Sequence, residues 1–145
     1  MDKAQKFDLE HRTPKFGVAA IRFCQTVPSS PVNAPLVNQF VRAATSVGAN
    51  YAEANDAESP RDFRHKIGIC RKEARECKHW LTMLAAAVPA RRGEMRPLWQ
   101  EAKELNLIFG AALRTLDRKQ REDRGSWSFA ASPTLIRSSS FDLRT

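Results

Sequence analysis

One stretch constrains this chain more than any other: from Ser59 to Ala87, 29 residues keep helical period almost without interruption. Apolar or small side chains fall at Phe63, Ile67, Cys70, Ala74, Cys77, Leu81, Leu84 and Val88. The steps alternate four and three, which is a heptad seam. Ser59, Pro60 and Asp62 supply a cap, a proline at the first helical position and an acid in the first turn. Pro89 and Gly93 close the far end. At 1.5 Å per residue such a helix is roughly 43 Å long. No strand pattern competes with it, so the chain is expected to be a bundle of helices.

Three further helices are read around it. A first is expected from about Pro14 to Thr26, with Phe16, Ala20, Phe23 and Val27 on one stripe, after a polar, flexible segment 1–12. Pro28, Pro31 and Pro35, with Ser29, Ser30 and Asn33, mark a loop. A second helix is expected from about Pro35 to Ala54, with Val37, Phe40, Val41, Ala44, Val47 and Tyr51 facing in. The link 55–58 is short, so the second and third helices should be antiparallel neighbours. A fourth is expected from about Glu94 to Gln120, where Leu98, Ala102, Leu105, Phe109, Ala112 and Leu116 repeat the four-three seam. Matching seams predict an all-α four-helix bundle over 13–121. Residues 122–145 hold six serines and only scattered apolar side chains, and are expected to be a disordered tail.

Charge is unevenly placed. The net charge is +8, yet residues 1–60 carry six basic and six acidic side chains and residues 122–145 three of each. Residues 61–121 carry fifteen basic and seven acidic, so the whole excess lies on the second half of the bundle. A localised basic face attracts polyanions, nucleic acid above all. Arg61, Arg64, Arg71, Arg75 and Lys78 share one stripe of the third helix; Arg91, Arg92 and Arg96 cluster at the turn after it; Arg114 and Arg118 lie toward the end of the fourth. The competing reading of such a run is a solvated surface. Aromatic residues are not interleaved with these charges in the sequence, so binding is expected through phosphate and shape.

Catalytic and metal chemistries fit the residues poorly. Asp62 with His65, and Glu76 with His79, have carboxylate-histidine spacing, but both pairs lie on one helix, about 20 Å apart. A di-iron bundle needs such motifs on two helices. Cys70 and Cys77 are two turns apart on one stripe and do not chelate one ion; with Cys24 they make an odd set expected as reduced thiols in a cytoplasmic protein's core. No glycine-rich phosphate loop or nucleophile elbow is present. No signal peptide is read at the N-terminus, and no apolar run approaches the roughly 18 residues of a membrane span. Arg42, Asn50 and Glu53 on the second helix, and Lys66 and Glu73 on the third, form facing polar stripes. In an antiparallel hairpin Arg42 lies about level with Glu73, and Glu53 near Lys66; a structural ion-pair network that sets register is the expected role.

The run Leu-Val-Asn-Gln-Phe-Val-Arg-Ala-Ala-Thr-Ser-Val-Gly-Ala-Asn-Tyr-Ala-Glu-Ala over 36–54 resembles the second helix of the bacterial four-helix bundle proteins related to the 23S rRNA intervening-sequence protein. Ser59 to Phe63, Lys66, Ile69, Lys72 to Glu76, Trp80 and Leu81 resemble their third helix. Over 13–35 and 94–118 pattern and length agree. Ala54 stands where the family often has glycine, and Cys77 where it usually has threonine. The resemblance implies an antiparallel up-down-up-down bundle that assembles as a ring, typically a homopentamer, with no established catalytic activity and no cofactor. Some relatives are encoded inside 23S rRNA genes. Others accompany the reverse transcriptase of diversity-generating retroelements, using a basic ring to contact nucleic acid and that enzyme. The expected partners are further copies of the chain with RNA or DNA; the alternative is a protein scaffold that recruits a partner enzyme without touching nucleic acid.

Overall fold

The computed structural model of the chain describes residues 7–130, with side chains as far as residue 126. Four α-helices follow one another: α1 (Leu9–Gln25), α2 (Asn33–Asn55), α3 (Pro60–Ala87) and α4 (Arg92–Ala130), with a 3-10 turn, Pro89–Arg91, between the last two. They form an antiparallel up-down-up-down bundle, and no strand occurs among the described residues.

Local chemistry sets the start of α3. The Ser59 hydroxyl accepts from the Asp62 N–H at 3.0 Å, with Pro60 entering the first turn behind it. At the other end the Val88 N–H donates to Leu84 O (2.8 Å) and Pro89 ends the run. Helix α2 begins at Asn33, two residues before Pro35, because the Ser30 hydroxyl accepts from the Asn33 N–H (2.9 Å) while Asn33 Nδ2 holds Pro28 O (2.9 Å).

Two helices are longer than expected. Helix α1 starts at Leu9, so Pro14 lies inside it and part of the segment expected to be flexible is helical. The N–H that Pro14 lacks would have met the carbonyl of Glu10, an exposed residue. Thr13 Oγ1 bonds Leu9 O (2.8 Å), and Arg12 reaches across to α4, which fastens this first turn. Helix α4 continues past Gln120 to Ala130, so residues 122–130, read as the start of the tail, are helical; Trp127 and Phe129 fall on this segment. The rest of the expected tail, with Phe141, lies outside the described residues. The bundle is one compact unit that ends at Leu113, and a second unit begins at Arg114.

The core follows the stripes. Phe16, Ala20 and Phe23 of α1, Phe40, Ala44 and Val47 of α2, Ile67 through Leu84 on the α3 seam, and Leu98, Ala102, Leu105 and Phe109 of α4 are buried in one cluster. Phe40, Phe109, Leu81, Leu84 and Leu105 are its largest fully enclosed apolar side chains. The three cysteines are unpaired and buried there, and Cys70 Sγ lies 3.6 Å from Val47 O. Burial pushes the Cys24 thiol up to about 11 and the Cys70 thiol up to about 12, and raises Cys77 further. Helices α1 and α2 approach closely at two glycines. A methyl at Gly48 would stand 3.3 Å from the Thr13 carbonyl carbon and the Pro14 nitrogen; one at Gly17 would stand 3.5 Å from Ala44 O.

Candidate nucleic-acid interface

Up to Leu113, five of the six acids of α3 and α4 are engaged away from the seam these two helices share. On α3, Glu73 and Glu76 turn toward α2, where Arg42 Nη1 meets Glu73 Oε2 at 3.2 Å and Nη2 meets Glu76 Oε1 at 2.5 Å. Trp80 Nε1 donates to the same Glu76 oxygen at 3.2 Å, and Gln39 Oε1 accepts from Arg42 Nε at 3.2 Å. On α4, Glu101 and Glu104 turn toward α1, pairing with Arg12 at 2.7 and 3.4 Å. Glu94 pairs with Arg91, its neighbour one turn back, and that pairing holds the Glu94 carboxyl below the usual range. Asp62 sits in the first turn of α3. These six are all the acids of the two helices up to Leu113.

Between Arg71 and the turn, the α3–α4 seam is therefore basic, with no paired carboxylate on it. Arg71 and Arg75 are exposed along it, and Asn106 Nδ2 of α4 donates to Arg71 O at 2.9 Å, which joins the two helices there. Further on, the Lys78 ammonium lies 5.9 Å from the Trp99 ring centroid, and that of Lys103 lies 5.7 Å from it. Arg92 and Arg96 follow at the end near the turn; Arg92 Nε holds Ala85 O at 3.4 Å. Between α3 and α4 here lies a cleft of about 420 Å³, lined by Leu81, Ala85 and Met95 with Trp99, Arg92 and Arg96.

Other residues of the expected site lie further along these helices or at the turn. Arg61 and Arg64 are exposed near the start of α3. Arg91 is engaged within the chain: Nη1 donates to Thr26 O (2.9 Å), Nη2 to Thr26 Oγ1 (2.5 Å), and the guanidinium lies 5.3 Å from the Phe23 ring centroid. It ties the 3-10 turn to the end of α1. Arg114 and Arg118 belong to the second unit, where both are exposed and Arg118 Nε is 3.9 Å from Glu122 Oε1.

The register network divides in the same way. Arg42 meets Glu73, and Lys66 Nζ meets Glu53 Oε2 at 2.5 Å, as an antiparallel α2–α3 hairpin requires. Asn50 stays within its own helix, donating to Ser46 O and Oγ at 2.9 Å. Several large apolar side chains of α3 and α4 lie off the four-three seams. Leu113 is buried in the core and Trp80 packs against it, whereas Met83 and Trp99 remain 36% exposed.

Sequence reading missed three contributions. Arg12 lay in the segment expected to be flexible, although Glu101 and Glu104, one turn apart on α4, signal a shared cation. Lys103 was not singled out. Trp99 has Lys103 one turn on in its own helix, but Lys78, the second cation at its ring, is 21 residues away in the chain. Among the described residues, no three of His, Cys, Asp and Glu come together as metal ligands, and no helix is long and apolar enough to cross a membrane.

A short antiparallel four-helix bundle whose charge is sorted by helix seam is the class that fold and site define. The chain belongs to the 23S rRNA-intervening sequence protein family, whose model matches residues 5–111. No curated protein matches it. Four solved chains do. One is a protein of unknown function from the S23 ribosomal protein family of Bacteroides thetaiotaomicron, 27% identical, covering 72% of this chain and 97% of that one with a TM-score of 0.64.

Proposed function

We propose that this protein is a non-enzymatic, self-assembling bundle that associates with RNA or DNA through the seam between α3 and α4. One observation carries the reading: up to Leu113, five of the six acids on these helices are paired toward α2, α1 or the turn, while Arg71, Arg75, Lys78, Arg92, Arg96 and Lys103 share the opposite side. Surface charge that served solubility alone would have no reason to be sorted by seam. A carboxylate-free cationic strip is what a phosphate backbone requires. Binding through it is sequence-tolerant and strongly salt-dependent, because each neutralised phosphate releases counterions.

Self-assembly draws support from the apolar side chains left on the outside: Val18 (44% exposed), Leu107 (59%) and Met83. Five subunits follow from family resemblance alone. The site of action is the cytoplasm, in keeping with three unpaired thiols. The test is a gel-shift series with mixed-sequence RNA and duplex DNA at low salt. Replacing Arg71 and Arg75 together by Gln should weaken binding about equally for all sequences and flatten its salt dependence. The oligomer should persist, and light scattering should give a mass well above 16.4 kDa. A stable monomer at micromolar concentration would refute the assembly. No shift at tens of micromolar protein would refute the nucleic-acid reading in favour of a scaffold for a partner enzyme.

A further inference from the structure

We infer that the cleft beside Trp99 is a subsite for one unpaired nucleotide of a single strand, so that the seam reads strand state rather than charge alone. This rests on the nucleic-acid reading above and adds a specific pocket to it.

Three features converge. The cleft, at about 420 Å³, lies within the range of small-ligand sites, roughly 300–1,000 Å³. Its floor is apolar, with Ala85 part-exposed above the buried Leu81 and Met95, and the exposed Trp99 beside them offers a face to a flat heteroaromatic ring. Trp99 lines it and stays 36% exposed although it is among the largest apolar side chains of α4. An exposed tryptophan offers a broad stacking face to a base, and every base has a face to offer it.

Charge selects the ligand further. Four cations surround this ring and cleft: Lys78 and Lys103 at the Trp99 ring, Arg92 and Arg96 on the lining. An uncharged aromatic ligand would not need them, and an apolar helix from a partner would meet four desolvated charges. A base linked to phosphates uses both parts, the ring in the cleft and the phosphodiesters on the ammonium and guanidinium groups. Gln100, also on the lining, offers a donor and an acceptor to a base edge, and the Thr82 hydroxyl, whose proton goes to Lys78 O (2.9 Å), offers an acceptor. A base paired in a duplex keeps its faces stacked on its neighbours, so the subsite engages an unpaired one.

The same chemistry is carried by a free mononucleotide, and the experiment separates the two sources. Anisotropy is measured on the full-length protein with a labelled twelve-nucleotide single-stranded RNA, a duplex of the same length, and AMP or UMP as competitors. Trp99→Leu should weaken single-strand binding roughly tenfold and duplex binding less than twofold. Trp99→Phe should retain most of the single-strand affinity, and Lys103→Gln, on the surface, should reproduce part of the loss without touching the core. Mononucleotides should compete only at millimolar levels.

Equal losses on single strand and duplex, or no loss on either, would overturn the subsite. If Arg71 and Arg75 replaced together still weakened both ligands, the basic-seam reading would survive that failure. Mononucleotides that bound as tightly as the strand would overturn the assignment to a strand. Dissociation of the oligomer by Trp99→Leu with single-strand binding retained would overturn it too, giving Trp99 to subunit packing.

Discussion

The same substitution, glycine to alanine, should destabilise the protein at position 48 and stabilise it at position 68. Both residues lie in helix interiors, on α2 and α3. In each case alanine restricts the unfolded chain and favours the helix by roughly 0.5–1 kcal/mol. At Gly68 nothing lies within 4 Å of the new methyl group, so this gain stands. At Gly48 the methyl group would meet the Thr13 carbonyl carbon and the Pro14 nitrogen at 3.3 Å and the Thr13 oxygen at 3.4 Å. These are backbone atoms of α1, which cannot rotate away as a side-chain tip can. Relief would require α1 to move out, yet Thr13 is buried, Phe16 and Ala20 are packed in the core beside it, and Arg12 is tied to Glu101. Overpacking of this kind costs about 1–3 kcal/mol, which outweighs the helix gain and leaves a net loss of roughly 1 kcal/mol. For a chain of this size that is a fall in Tm of about 4 °C, against a rise of about 2–4 °C for Gly68→Ala. Thermal melts followed by circular dichroism decide it. A Gly48→Ala protein as stable as the parent would show that α1 and α2 are not held at this distance.

Leu81 is 1% exposed at the centre of the α3 seam, and Leu81→Ala should cost about 2–5 kcal/mol in urea unfolding; a loss under 1 kcal/mol would contradict its enclosure. Arg42→Ala should cost about 1–2 kcal/mol because it strands the buried Glu73, whereas Glu53→Ala, removing an exposed partner of Lys66, should stay within about 0.5 kcal/mol. Equal costs for the two would show that burial of Glu73 is immaterial. The thiols should resist a thiol-specific reagent in the folded protein and react fully in denaturant. Their folded pKa values lie above the unfolded value of about 8.5, so the native state holds protons that the unfolded state releases. The associated stability is complete below about pH 8.5 and declines as pH rises toward about 11, where Cys24 titrates. A urea midpoint unchanged between pH 7 and pH 10 would refute that.

Number of helices, their order and most of the core were legible in the sequence, because they depend on local period. A residue's place on a helix stripe is set by neighbours three and four positions away. So Phe16, Phe40, Ile67, Leu81 and Phe109 could be assigned to the interior without knowing what they touch. The cap at Ser59 is equally local. Helix ends were less legible where a long-range contact decides them: α1 reaches back to Leu9, with Arg12 in its first turns bonded to an acid 89 residues away.

What the sequence determined by itself is the bundle and the existence of a basic excess over 61–121. What only the tertiary structure decided is how that excess is used. Arg91 looked like any surface cation until Thr26, 65 residues distant, took its hydrogen bonds. Glu73 is expected opposite Arg42 from the hairpin register alone, but that Glu76, Glu101 and Glu104 also turn to partners on α2 and α1 is decided only by the packed bundle. Trp99 became a ring beside two ammonium groups only when α3 and α4 came together. Helical period falls off within a few residues, whereas charge pairing and stacking depend on which helices are neighbours, and that is settled by packing across the whole chain.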